Sequence, residues 1–173
     1  YGNGTFVAVG DLASGAGPIR TSTDGVAWTT SGVGTNALRG VMFDGSRFIA
    51  VGDGSALFTS DTTTIFSAPN AASWTAKSLG TAGVALRAIA NIGLNYVAVG
   101  SNAALYTTND STLATAWTSQ NANAGTNSLN AIMGLTGSKF IVVGANGTVR
   151  VADTSNLATW TTPTLPGGFA TSL

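Results

Sequence analysis

The sequence has no cysteine, no histidine and no glutamate, and all seven of its acidic residues are aspartates. A disulfide framework is therefore excluded, as are Ser-His-Asp and Cys-His catalysis, and the imidazole and thiolate ligands of transition metals are missing. Paired-carboxylate glycoside hydrolysis would have to use two aspartates. We therefore expect no metal, no cofactor and no enzymatic activity.

Charge is also scarce, because charged residues make up only 8% of the chain, and seven Lys and Arg residues balance the seven aspartates. No net charge draws the protein toward nucleic acid or an acidic membrane surface. No apolar run approaches the roughly 18 to 20 residues that a membrane-spanning helix needs. Thr, Ser, Asn and Gly supply the polarity instead, which predicts an extracellular, cell-surface or virus-particle protein.

A repeated apolar segment that ends in glycine organises the chain. Its four copies are Phe6–Gly10, Phe48–Gly52, Tyr96–Gly100 and Phe140–Gly144. Successive copies lie about 45 residues apart, a spacing typical of tandem structural repeats. Turn residues precede each copy, and a third strand follows its glycine. Before the turns of the last three copies, a further apolar strand is predicted over Leu38–Phe43, Leu86–Ile92 and Leu129–Leu135. A fourth strand begins at a recurring Trp-Thr pair, whose tryptophans are Trp28, Trp74, Trp117 and Trp160.

Each repeat thus predicts a sheet of four short antiparallel strands, which cannot bury both of its faces alone. Stacking such sheets around an axis buries the faces, and this is the β-propeller. We predict an all-β propeller with one domain over residues 1–173 and blades at about 1–34, 35–82, 83–127 and 128–173. The tryptophans are predicted to pack between blades. A shared third-strand position, also interpreted as packing between blades, holds Arg20, Phe58, Tyr106 and Arg150.

The ends of the sequence leave the number of blades open. The first repeat lacks a first strand, and residues 169–173 resemble the beginning of one. If that segment completes blade one, the chain closes a four-bladed ring, which leaves no unprotected sheet edges. The alternatives are a slice of a larger propeller and two chains that together form eight blades.

One turn resembles a motif of a known repeat superfamily. The first repeat contains the segment Thr21-Ser22-Thr23-Asp24-Gly25-Val26-Ala27-Trp28. It resembles the Asp-box of sialidase-like bacterial propellers, and the resemblance extends over the whole chain at the level of strands. The later repeats carry Asp61, Asp110 and Asp153 at the corresponding place, with longer spacings to the tryptophan. The resemblance implies a shared scaffold only, because the glutamate of sialidase-like catalysis is missing. We expect all four aspartates to accept backbone N–H groups in turns.

Four other charged residues occupy repeat positions that suit a ligand. Asp11 and Asp53 directly follow the repeat glycine, on the face where propeller loops usually meet ligands. Arg39 and Arg87 follow the first-strand leucine, and guanidinium groups there could hold a carboxylate or a sulfate. The alternative is that these four residues are solvated charges of the scaffold.

These features predict a non-enzymatic structural or interaction module, whose partner is another protein or an assembly subunit. The alternative is a carbohydrate-binding or degenerate glycosidase-like propeller that uses Arg39, Arg87, Asp11 and Asp53. Convergence of those four side chains in one concave pocket would favour the alternative, and scattered positions would exclude it.

Overall fold

The computed structural model describes residues 1–12, 18–31, 33–63, 65, 73–114 and 117–164. Within these ranges the regular structure is four antiparallel sheets and one short 3₁₀ helix, Asp53–Ser55, between the second and third strands of sheet 2. Sheet 1 contains β1 (Phe6–Val9), β2 (Ile19–Ser22) and β3 (Thr29–Ser31). Sheet 2 contains β4 (Leu38–Phe43), β5 (Phe48–Gly52), β6 (Leu57–Ser60) and β7 (Trp74–Ala76). Sheet 3 contains β8 (Leu86–Ile92), β9 (Asn95–Gly100), β10 (Leu105–Thr108) and β11 (Thr118–Ser119). Sheet 4 contains β12 (Leu129–Leu135), β13 (Lys139–Gly144) and β14 (Thr148–Asp153).

Within each sheet the strands pair in chain order, so each sheet is a meander built from one repeat. The all-β propeller fold predicted from the repeats is confirmed. In sheet 4 the place of a fourth strand is held by an isolated bridge between Val151 and Thr161. The segment 169–173, predicted to begin a strand that closes the ring, lies outside the described residues.

The core lies between consecutive sheets. The face that a sheet turns toward the preceding sheet is called its leading face. The opposite face is called its trailing face. Between sheets 1 and 2, Phe48 and Trp74 on the leading face of sheet 2 pack in one cluster with Val7 and Val9 on the trailing face of sheet 1. The same pattern recurs at the next two interfaces. Between sheets 2 and 3, Tyr96 and Trp117 pack against Ile49 and Val51. Between sheets 3 and 4, Phe140 and Trp160 pack against Val97 and Val99.

The repeat glycine is required by a close approach of two strands. A Cβ atom on Gly100 would lie 2.1 Å from the Ala85 carbonyl oxygen, and the neighbouring Leu86 pairs with this glycine in the sheet. Gly52 and Gly144 meet the carbonyls that precede β4 and β12 in the same way, at 2.1 and 2.2 Å. Gly10 has no such neighbour within 4 Å, because sheet 1 has no strand on that side among the described residues.

Among the described residues, nothing covers the two outermost faces of the stack. Phe6 and Trp28 on the leading face of sheet 1 are 37% and 44% exposed, whereas their equivalents in the other sheets are buried. On the trailing face of sheet 4, Ile141 and Val143 are half-buried and Met133 is 58% exposed. The described residues therefore form an arc of four sheets with an exposed apolar face at each end.

Candidate functional site

The turn between β2 and β3 is held together by one carboxylate. Asp24 Oδ1 accepts the backbone N–H groups of Val26 and Ala27, both at 2.8 Å, and the hydroxyl of Ser22 at 3.0 Å. The Ser22 hydroxyl oxygen in turn accepts the N–H of Gly25 at 2.9 Å. These hydrogen bonds, led by those from Val26 and Ala27, lower the pKa of Asp24. The carboxylate is therefore ionised and occupied by its own turn.

The other three turn aspartates make the corresponding contact despite their longer loops. In each case Oδ1 accepts the backbone N–H of the residue two positions on, an Asx-type turn. These pairs are Asp61 with Thr63 at 2.9 Å, Asp110 with Thr112 at 2.8 Å, and Asp153 with Ser155 at 3.0 Å. The insertions that follow the aspartates change the length of the loop but leave this first bond in place.

The tryptophans predicted to pack between blades divide into two groups. Trp74, Trp117 and Trp160 are buried in the three clusters between sheets, whereas Trp28 lies on the uncovered leading face of sheet 1. Trp28 Nε1 nevertheless donates to the Gly25 carbonyl at 3.1 Å, so its indole is fixed by its turn. Trp28 therefore presents an aromatic surface, 44% of it exposed, on the leading face of sheet 1.

The four predicted ligand contacts lie together as a line of alternating charges across sheets 1, 2 and 3. Arg39 Nη1 donates to Asp11 Oδ1 at 2.7 Å, and Nη2 donates to Asp53 Oδ2 at 2.7 Å. Arg87 occupies the equivalent position in sheet 3 and donates from Nε to Ser101 Oγ at 3.3 Å. Its charge also acts on Asp53. The sequence left open whether these four side chains lie together, and it did not predict that Arg39 pairs with both carboxylates.

The positive and negative charges of this line balance one another within the chain, and their side chains are open to solvent. The hydrogen bond with Asp53 is the main reason why the pKa of Arg39 is raised, and the same bond lowers the pKa of Asp53. Asp11 lines a shallow depression of about 200 Å³ together with Pro18 and Arg20. An anionic ligand on Arg39 would have to displace a carboxylate, so the ligand role of the four residues stays a prediction.

A second charged group, in the hairpin between β4 and β5, joins two sheets. Asp44 Oδ1 accepts the backbone N–H groups of Ser46 and Arg47, and Oδ2 accepts Arg47 Nε at 3.2 Å and the Tyr96 hydroxyl at 3.1 Å. Arg47 Nη2 also donates to the Ser111 carbonyl in the turn of sheet 3. Burial acts to raise the pKa of Asp44, but these hydrogen bonds outweigh it and the pKa is lowered.

Arg150 is a further link between sheets, predicted only as general packing. Its Nε donates to the Ala122 carbonyl at 2.9 Å and its Nη2 donates to the Asn123 carbonyl at 2.6 Å. Both carbonyls belong to the connection between β11 and β12. The guanidinium therefore anchors sheet 4 to the preceding connection through main-chain hydrogen bonds, which residue type alone could not distinguish from aromatic stacking.

A polar depression of about 350 Å³ lies between the outer parts of sheets 3 and 4. Apart from one leucine, its lining side chains are uncharged hydroxyls and amides. They are Asn95, Thr107, Thr108, Asn109, Thr118, Thr154, Ser155 and Leu157. Such a surface offers hydrogen bonds to a neutral polar ligand but no aromatic platform. Among the described residues, no group of three or more aspartates is placed to hold a metal ion.

Successive antiparallel sheets that pack face to face, with repeat-equivalent clusters between them, define a propeller-type repeat protein. The chain is similar to YCF48 from Cyanidioschyzon merolae, with a TM-score of 0.69 and 16% sequence identity. The match covers 88% of this chain and 48% of the other, so the chain spans about half the length of that protein. No family model and no curated protein match the sequence. The likeness establishes the fold alone.

Within the part of the chain that is described, none of the helical segments has the length and apolarity that crossing a membrane requires.

Proposed function

We propose that the chain is a non-enzymatic structural and interaction module, a propeller scaffold that binds another protein. The observation that carries this proposal is that every one of its seven carboxylates is engaged within the fold. Asp11 and Asp53 pair with Arg39. Asp44 is held in its hairpin. The remaining aspartates, which accept the N–H groups of their own turns, are Asp24, Asp61, Asp110 and Asp153.

The protonation states of these groups support the same conclusion. The pKa is lowered for Asp24, Asp44, Asp53 and Asp153, which keeps these carboxyls ionised at neutral pH. A carboxylic general acid needs the opposite shift. The pKa of Tyr96 is raised, by burial and then by the charge of Asp44, so its phenol stays protonated and donates to that carboxylate.

The binding surface of this scaffold is apolar. Exposed aromatic and aliphatic side chains at the two ends of the arc, above all Phe6, Trp28 and Met133, are of the kind that anchors protein interfaces. The low charge favours a secreted, cell-surface or virion-associated setting, and the Asp24 turn favours a scaffold related to the Asp-box repeats.

Two measurements test this function. Hydrolysis of a panel of aryl glycosides, including a sialoside, should not exceed that in buffer, and turnover that disappears in an Asp11→Asn/Asp53→Asn double variant would overturn the proposal. A photo-activatable cross-linker placed at position 28 in the native host should attach to protein. The same cross-linker at Leu94, which is 61% exposed in the turn between β8 and β9, is the control. Equal labelling from both positions would contradict a binding role for the end face.

A carbohydrate-binding propeller is the second candidate, and the polar depression between sheets 3 and 4 favours it. Its hydroxyls and amides suit a neutral sugar, whereas the line formed by Arg39 and Arg87 suits an acidic one. NMR titration with neutral oligosaccharides and with sialic acid separates the two sites. Saturable shifts at Asn109 and Thr154 that disappear in Asn109→Ala would favour a glycan receptor, and no shift at either site would exclude it.

A further inference from the structure

The leading face of sheet 1 has the residues of a buried face, but no sheet within the described part of the chain packs on it. Phe6 stands where sheets 2, 3 and 4 have fully buried aromatic rings, and Ala8 is exposed where Ala50 and Ala98 are completely buried. Tyr1 packs on Phe6 with ring centroids 4.6 Å apart, which enlarges the apolar surface. Trp28 completes it at the outer side. This face is therefore built for contact with another sheet.

The trailing face of sheet 4 is its counterpart. Ile141 and Val143 occupy the positions of Ile49 and Val51, which are completely buried against sheet 3. Met133 lies opposite Ile141 in the sheet, as Met42 of β4 lies opposite Ile49. Met42 packs into the cluster between sheets 2 and 3. Its exposure at the end of the stack indicates a missing neighbour.

Polar side chains next to the start of β5, β9 and β13 also occupy equivalent positions in successive sheets. Arg47, immediately before β5, donates a hydrogen bond to the Ser111 carbonyl in the Asp110 turn of the next sheet. Asn95, at the start of β9, faces the Asp153 turn of the next sheet across the polar depression. Lys139 is the equivalent residue at the start of β13, and its Nζ lies 3.5 Å from Oδ2 of Asp153 in the turn of its own sheet. No described sheet follows sheet 4, and a sheet packed on its trailing face would offer Lys139 the turn of a following sheet as a second partner.

We propose, building on the interaction function above, that two copies of this chain pack head to tail. The leading face of sheet 1 in each copy covers the trailing face of sheet 4 in the other. The contact copies the three aromatic-on-aliphatic interfaces already present in the chain. A two-fold axis along the propeller makes both contacts identical and gives eight sheets, within the range of about 4 to 8 blades that propellers use. A contact between two leading faces would pair Phe6 and Trp28 with their own copies, a packing that none of the three clusters uses.

The first experiment measures the mass of the purified 173-residue chain by light scattering over a range of concentrations. A particle of twice 17.2 kDa is expected. Trp28→Arg on the leading face and Met133→Arg on the trailing face should each raise the dissociation constant at least about 100-fold, because each places an unpaired charge in an apolar contact. Leu94→Arg, a matched change at an exposed residue away from both faces, should leave the dimer intact. Circular dichroism checks that each variant is folded.

Mixing the two variants tests the head-to-tail arrangement itself. The Trp28→Arg copy keeps an intact trailing face, and the Met133→Arg copy keeps an intact leading face. A mixture should therefore form a heterodimer through one unmodified contact, although each variant alone is monomeric. A contact between two leading faces predicts instead that Met133→Arg has no effect and that mixing restores nothing.

The outcomes separate this inference from the proposed function. A wild-type chain that stays monomeric at millimolar concentration, or an open polymer instead of a closed pair, overturns the dimer. A monomer without hydrolytic activity still leaves a scaffold that binds a different protein through position 28. Carboxylate-dependent turnover overturns the proposed function whatever the mass of the particle is.

Discussion

Arg47 Nε donates to Oδ2 of Asp44 at 3.2 Å, in a pair whose carboxylate side chain is only 4% exposed. Both residues belong to the hairpin of sheet 2, yet each reaches sheet 3, Asp44 through the Tyr96 hydroxyl and Arg47 through the Ser111 carbonyl. The pair therefore fixes the relative position of two sheets as well as the turn. Hydrogen bonds are directional, whereas apolar burial is not, so these links add specificity to the stagger of the two sheets.

Removal of the Asp44 carboxylate should destabilise the fold more than removal of an exposed one. Asp44→Ala leaves the partly buried Arg47 guanidinium and the Tyr96 hydroxyl without their acceptor. We expect the free energy of unfolding to fall by about 2 to 3 kcal/mol, as measured by urea denaturation. Asp11→Ala, which breaks an ion pair in solvent, is the control and should change the midpoint little. Equal losses in the two variants would contradict a linking role for Asp44.

Below pH 7, the pH dependence of stability should be confined to the acid range in which the aspartates titrate. Hydrogen bonds lower the pKa of Asp44 in the folded state below its ordinary value of 3.8. Its contribution to stability is therefore complete above that value and is lost as the pH falls through the folded-state pKa. Because the chain has no histidine and no glutamate, the free energy of unfolding should be flat between about pH 5 and 7. Denaturation at a series of pH values should show a shallower acid decline in Asp44→Asn, and a transition near pH 6 would contradict this account.

The sequence predicts the repeats closely and the links between them poorly. The first strands of sheets 2, 3 and 4 begin and end at the predicted residues, because turn chemistry and apolar runs are local signals. The bonds from Tyr96 to Asp44 and from Arg47 to Ser111 join residues 52 and 64 positions apart. They depend on how one sheet is staggered against the next, and residue type does not encode that stagger. The pairing of Arg39 with Asp11 was missed for the same reason.

The repeat glycine should be essential only where a first strand approaches it. Gly100→Ala places a methyl group 2.1 Å from the Ala85 carbonyl oxygen, so we expect a loss of about 3 kcal/mol. Gly10→Ala meets no atom within 4 Å and is the matched control, with little expected change. Thermal unfolding of both variants measures the difference. A large loss in Gly10→Ala would mean that a strand covers Gly10 in solution, as ring closure within one chain requires.

The two kinds of tryptophan should differ strongly in their contribution to stability. Trp160 is 2% exposed and packs against sheet 3, so Trp160→Ala should lower the free energy of unfolding by about 3 to 5 kcal/mol through the cavity it leaves. Trp28 is 44% exposed and its removal leaves no enclosed cavity, so Trp28→Ala should cost only about 1 to 2 kcal/mol in the monomer. Urea denaturation at a protein concentration below that of dimer formation isolates the fold from the contact between copies. If Trp28→Ala matched Trp160→Ala under those conditions, the leading face of sheet 1 would be covered within a single chain, and the arc would have to be closed.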